Sequence, residues 1–439
     1  AVRDPTPATL MASSTAFRAF ATPRVAPMTS VGRGGRARRA VHARAQAPKR
    51  ADADAASAPL PRRTAVLKTL VALTAVALPR AARAEPVLQA QDSGALDAAQ
   101  TPPERRPTKR VLITGPNSGI GFDAACKLCA LGFDVVLACR TEAKAVDAAG
   151  RIEAAVGERG ITVRPGQLIP VECNLADFAS IRKFAASSEG EKPVDVLVLN
   201  AGVQYSGDDV IRRTSDGLEI TVGTNHLGHF LLTNLMLPRL ASAVGTGPDD
   251  VAPRVVITAS EVHDPSSPGG NVGLGAGLGD LSGFAADGQN FQMIDGSEYN
   301  ADKAYKDSKL CNVLFAKELR NRLQETNSQI TVNAFGPGLI TRTGFFRYQN
   351  PLFVKLFDFA TNDIFHVAET VDGGGDCLVY MATSSDLEGK TGLYYNNGIA
   401  PGEGKTGHRF EVSSVSTEAT NDAEAKTLWR YSEQFVGLA

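Results

Sequence analysis

The stretch Val111-Leu112-Ile113-Thr114, followed at once by Gly115-Pro116-Asn117-Ser118-Gly119-Ile120-Gly121, constrains this chain most. It reads as a short buried strand that turns through glycines into an amphipathic helix ending near Leu131. Glycines at Gly115, Gly119 and Gly121 permit a tight turn and close backbone approach, so the helix N-terminus can meet a pyrophosphate. The alternation then continues. Apolar runs at 135–138, 169–173, 194–199, 254–258 and 330–334 read as further strands, with helical stretches between them. Continuous apolar strands separated by helices predict a parallel sheet covered on both faces. The expected fold class is therefore α/β, a single doubly wound Rossmann domain over residues 108–439. One long, Gly-dense insertion (261–304) precedes a Tyr-bearing helix, and ordered loops of that length usually sit over an active site.

Charge divides the chain in two. Residues 1–90 hold 15 Lys+Arg against 4 Asp+Glu, whereas the remainder holds 31 against 43. A basic leader precedes an acidic body, which argues against nucleic acid as a partner. From Met11 to Lys49 the leader is Ser, Thr, Ala and Arg without an acid, the composition of a plastid transit peptide. Arg62-Arg63, an apolar run over 65–78 and Ala82-Arg83-Ala84 then resemble a twin-arginine thylakoid signal. That run is shorter than the ~20 residues a membrane span needs. Residues 1–107 are thus expected to be targeting leader and linker. The body is expected on the stromal side of the thylakoid, although the second signal would address the lumen.

The chemistry sits on later strand ends. An acid closing the second strand would bind the ribose 2′-hydroxyl of NAD; here Cys139-Arg140 stands there, and arginine suits a 2′-phosphate. NADPH is the expected cofactor, the alternative for Arg140 being an ordinary surface side chain. Tyr305 and Lys309 lie four residues apart, on one helix face. The ammonium is expected to lower the phenol pKa, making Tyr305 an acid or base near neutrality. Ser260, closing the strand RVVITAS, could hold the reacting group against Tyr305. Asn200-Ala201-Gly202 ends another strand, and Asn225 in TNHLGHFLL could anchor a water that reloads the proton.

In this order, TGxxxGIG, NAG, the Asn of NHLGHF, the Ser and YxxxK resemble the short-chain dehydrogenase/reductase superfamily. The resemblance implies Tyr305 as acid/base, Lys309 as ribose anchor and pKa depressor, Ser260 as orienter and Asn225 as relay. It also implies Asn174, Leu175, Pro337 and Gly338 as further cofactor contacts. VGTNHLGHFLL, LGDLSG, MIDG, KAYKDSKLCN, TGFFR, PLF and the tail SEQFVGLA are similar to the light-dependent protochlorophyllide oxidoreductase family, from about Lys109 to the last residue. That likeness implies hydride transfer from NADPH to the C17=C18 bond of a bound tetrapyrrole, driven by light, with the Tyr giving a proton.

Departures cluster at the expected pocket. Leu339 replaces the family Cys of Pro-Gly-Cys, SEVHDPSSPGG opens the insertion in unfamiliar wording, and NAGVQ and GPNSGIG differ from the family's NAAVY and GASSGLG. A light-independent reductase acting on a carbonyl or alcohol of a hydrophobic plastid metabolite therefore competes, as does a non-enzymatic NADPH-sensing scaffold. Tyr205, His263 and Leu339 are candidate substrate contacts. Cys126 and Cys129 form a CxxC inside a helix and read as packing rather than redox or metal ligands, so no metal is expected. His226 and His229 read as packing or caps. Phe345, Phe346, Phe353, Phe357 and Phe359 are either core-facing, a flap over a flat ligand, or a peripheral membrane contact. The oligomeric state is left open, a homo-oligomer included.

Overall fold

The computed structural model describes residues 109–158, 165–245, 251–285, 291–341, 349, 351–364, 368–399 and 408–439; the leader and Phe345-Phe346 lie outside them. The glycine-marked entry folds as read: β1 (Arg110–Thr114) is buried throughout and leads into α1 (Gly119–Ala130). Then follow β2 (Asp134–Cys139), α2 (Glu142–Glu158), β3 (Leu168–Glu172), α3 (Phe178–Ala185), β4 (Val196–Leu199), α4 (Gly228–Ala241) and β5 (Arg254–Thr258). After the insertion, with its short α5 (Ser282–Ala285), come α6 (Ala301–Glu325), β6 (Thr331–Gly336), α7 (Pro351–Phe359) and α8 (Val371–Thr383). The chain closes with β7 (Tyr394–Ile399), β8 (His408–Val412) and α9 (Asp422–Phe435).

The strands form one sheet in the order β3-β2-β1-β4-β5-β6-β7-β8. All neighbours run parallel except β8, which is antiparallel to β7. Both faces are apolar because side chains alternate along each strand. Val111, Ile113, Val135, Leu137, Val196 and Val198 pack to one side, and Leu112, Val136, Leu197, Leu199, Val255 and Ile257 to the other. That is why these strands read as continuous apolar runs. Strand order leaves β1 in both directions, so the carboxyl ends of β1 and β4 flank the crevice where doubly wound folds bind ligands.

Three later helices are capped by side chains. Asn300 accepts from Lys303 N at the start of α6, Thr370 from Gly373 N at α8, and Asn421 from Ala423 N and Glu424 N at α9. Ser118, before α1, makes no such bond. The insertion packs on α9 and the turn before it: Phe284 stacks on Phe291 at 5.1 Å and meets Phe435 of α9 at 5.0 Å, and Leu278 N donates to Glu418 in the preceding turn (2.6 Å). Among the described residues no helix is long and apolar enough to cross a membrane.

Candidate active site

Thr114, the last residue of β1, ties the crevice together. Its Oγ1 accepts the backbone N–H of Asn200 (2.9 Å) and Ala201 (3.0 Å), while Asn200 Nδ2 donates to Thr114 O (3.0 Å). His229 Nε2 lies 2.9 Å from the same hydroxyl, and His229 Nδ1 lies 3.0 Å from Asn225 O. A carbonyl only accepts, so Nδ1 carries the hydrogen and Thr114 donates to Nε2. Burial pushes His229 down to about 4 and His226 to about 3, so both are neutral struts at physiological pH, as the packing reading has it.

Around this knot lie the candidate cofactor residues. Gly115 and Gly119 have φ of +69° and +58°, which favour glycine. A Cβ on Gly121 would stand 2.4 Å from Asn200 Nδ2 and 2.6 Å from Gly115 O. With no side-chain cap and no acid in its first turn, α1 leaves its N–H groups for an anion. Asn117 O accepts from Arg151 (3.2 Å), Ile120 sits beside Gly374, and Arg140 is exposed just past β2. Asn174 accepts from Ala176 N (3.2 Å), Leu175 is buried, and Gly202 is half-buried after β4. Past β6, Pro337 O accepts from Asn397 (3.3 Å) and Gly338 has φ +86°. The pieces fit a dinucleotide: an uncapped helix start, a Cβ-free approach and a cation beyond β2.

The candidate catalytic side chains meet at the carboxyl end of β5. Tyr305 and Ser260 hydrogen-bond through their hydroxyls. Lys309 Nζ is 5.6 Å from the Tyr305 ring centre and donates to Thr258 O (3.0 Å). Burial pushes the phenol up rather than down, with the Ser260 bond opposing it. This corrects the expected lowering: desolvation outweighs the Ser260 hydrogen bond, and burial likewise pushes Lys309 itself down to about 8.

Asn225 sits in a π-turn (Gly223–Leu227), a helix irregularity frequent at functional sites. Both amide hydrogens are used: Nδ2 donates to Val203 O (2.9 Å) and Ser308 Oγ (3.0 Å), while Oδ1 accepts from Val203 N (2.8 Å). Ser308 in turn donates to Tyr305 O (2.7 Å). The side chain braces the β4 exit against the Tyr305 helix.

The substrate candidates separate. His263 lies beneath the site instead of at its rim, 1% exposed, with Nδ1 donating to Ser260 O (2.7 Å) and Nε2 accepting from Ser416 N (3.3 Å). Tyr205 is buried with the Arg212 guanidinium 5.0 Å from its ring centre. Leu339 is half-buried, and its carbonyl accepts from Glu369 N (2.7 Å). Cys126 and Cys129 are buried, Cys129 donating to Gly166 O (3.3 Å), and among the described residues no cluster could hold a metal.

Sequence reasoning missed a polar wall beside this site. Glu261, next to Ser260, is pushed up by burial and hydrogen-bonds Asn396, which also accepts from the Tyr394 hydroxyl (3.2 Å). Gly336 makes room: a Cβ there would lie 2.4 Å from Asn396 Oδ1 and 2.5 Å from the Tyr394 hydroxyl. No sequence spacing links Glu261 to β7; only the sheet order does.

The model of the short chain dehydrogenase family matches residues 109–271. The chain is similar to the chloroplastic protochlorophyllide reductase of Daucus carota, 36% identical over 338 residues, covering 75% of this chain and 78% of that one. It is likewise similar to that of Chlamydomonas reinhardtii, 35% identical over 340 residues, covering 77% and 80%. A crystal structure of an uncharacterized protein from Mycobacterium Paratuberculosis superposes with a TM-score of 0.52 at 28% identity, covering 75% of this chain and 93% of that one.

Proposed function

The chain belongs to the short-chain dehydrogenase/reductase family, on its protochlorophyllide reductase-like branch, and from that membership we propose that it is the NADPH-dependent, light-driven enzyme that reduces the C17=C18 bond of protochlorophyllide. It is an oxidoreductase with a nicotinamide cofactor and a small-molecule substrate. The observation that carries the proposal is the Ser260–Tyr305 hydroxyl pair, with Lys309 one turn on, at the carboxyl end of β5. NADPH, when bound, supplies the hydride. Tyr305 gives its hydroxyl proton to the second carbon, and Ser260 holds the resulting phenolate by hydrogen bond. Lys309 opposes the developing negative charge while it remains cationic. The α1 N-terminus with Gly115, Asn117, Ser118, Gly119, Ile120 and Gly121 would hold the pyrophosphate, and Arg140 the 2′-phosphate. Asn174, Leu175, Asn200, Ala201, Gly202, Pro337 and Gly338 would line the remainder of the cofactor, and Tyr205 and Leu339 the pigment.

Plastid residence at the stromal face of the thylakoid belongs to the same proposal. The exposed side chains Leu352, Leu356 and Phe359, on one face of α7, support peripheral membrane contact. One observation favours the runner-up, a dark carbonyl reductase: Leu339 offers neither thiol nor exchangeable proton. The deciding experiment mixes the protein with NADPH and protochlorophyllide in darkness and records absorption before and after a brief flash. A light-dependent red shift to the chlorophyllide band is expected. Bound pigment that stays unconverted would contradict the proposal, and absence of pigment binding would favour the carbonyl reductase.

A further inference from the structure

The residue after Tyr305 does something the chemistry above leaves unused. Lys306 is 6% exposed, yet its ammonium donates to three backbone carbonyls of the insertion: Gly270 (2.9 Å), Val272 (2.5 Å) and Leu274 (2.9 Å). An ammonium has three N–H groups and no acceptor, so three carbonyls satisfy it completely. A buried charge is costly unless it is fully hydrogen-bonded, so this lysine fixes the path of the chain around it. Burial pushes its pKa down, and Asp302 and Asp307, on the same helix, oppose that shift.

The gripped segment leads straight back to Ser260. Ser267 Oγ lies 2.9 Å from Glu261 O and accepts from Gly270 N (2.9 Å). A Cβ on Gly270 would stand 1.8 Å from Asp264 O, so the turn closes tightly there. His263 then joins Ser260 O at 2.7 Å. Residues 261–270 are thus a compact knot between the Ser260 turn and the carbonyls that Lys306 holds.

We propose that Lys306 is a positioning residue: by gathering the carbonyls of residues 270–274 it clamps the Ser260 turn to the Tyr305 helix and sets the Ser260–Tyr305 hydrogen bond. The inference rests on the reading that this pair performs the chemistry. It differs from a general stabilising role in one respect, namely that its effect on turnover passes through Ser260.

A double-mutant cycle in the full chain tests it. Lys306→Met is expected to bind NADPH within about twofold of the wild type but to lose about tenfold or more in kcat. S260A/K306M is expected to be no slower than Ser260→Ala alone. Amides of residues 264–274 are expected to exchange hydrogen about tenfold faster in K306M with NADPH bound, and Lys306→Arg, which keeps the charge, to retain more kcat than K306M. Losses that multiply in the double variant would overturn the proposal, as would unchanged exchange. Should K306M not fold, K306R and its combination with S260A give the same two readouts. If the wild type shows no pigment turnover at all, the proposed reaction fails while the exchange comparison still decides the clamp.

Discussion

Lys309 carries two loads that pull against each other. In the proposed reaction its charge would stabilise a Tyr305 phenolate, yet the burial that brings it close pushes its own pKa down to about 8. Below that value the ammonium is present; above it the amine is neutral and the support is gone. Turnover is therefore expected to fall as pH rises through about 8, whereas Lys309→Met should be slower by about a hundredfold and flat across that range. An unchanged alkaline limb in K309M would assign the limb to another group. The histidines act on stability instead. His229 and His226 have folded values of about 4 and 3, below the ~6.5 of an unfolded chain, so only the unfolded state takes up protons in that window. The stability they contribute is complete above about pH 6.5 and is lost as pH falls toward 4. Thermal midpoints should drop over that interval, and less so in His226→Phe, which sits among Phe230 and Phe315.

At the scale of elements, the β1–α1 entry concentrates the cofactor argument in a few atoms. Gly121→Ala would drive a methyl against Asn200 Nδ2 and Gly115 O, so the NAG strand end or the turn must shift. A fluorescence titration should show NADPH affinity reduced by about tenfold or more, with a stability loss of about 1–3 kcal/mol. This element was legible because its signals are local: an apolar run, then glycines where only glycine fits. The six strands read from apolar runs are found for the same reason. β7 and β8 were not read, since Tyr-Tyr-Asn-Asn lacks an apolar run and β8 is a half-exposed edge strand. His263 was misplaced because a single 3-10 turn (Glu261–His263) folds it inward toward Ser416, a contact no spacing announces. The bracing bonds of Asn225 were not legible, because its partners lie on β4's exit and α6. The insertion and the C-terminal tail, separate in sequence, are one structural unit through Phe284, Phe291 and Phe435.

Over the whole molecule, the fold places the candidate cofactor and acid–base groups on the carboxyl edge of one sheet, the two sets together spanning both sides of the strand-order reversal. The uncapped helix start lies toward β1, the Ser–Tyr–Lys set at β5, and the insertion folds back from β5 to α6. Such an arrangement predicts that hydride and proton reach the substrate from different sources. The most direct measurement uses NADPH deuterated at the transferred position, protochlorophyllide and a flash, with the product analysed by mass. Wild-type product should carry one deuterium from the cofactor, and Tyr305→Phe should cut its yield about a hundredfold or more while NADPH binding persists. Undiminished yield in Y305F, or product without cofactor deuterium, would contradict the account.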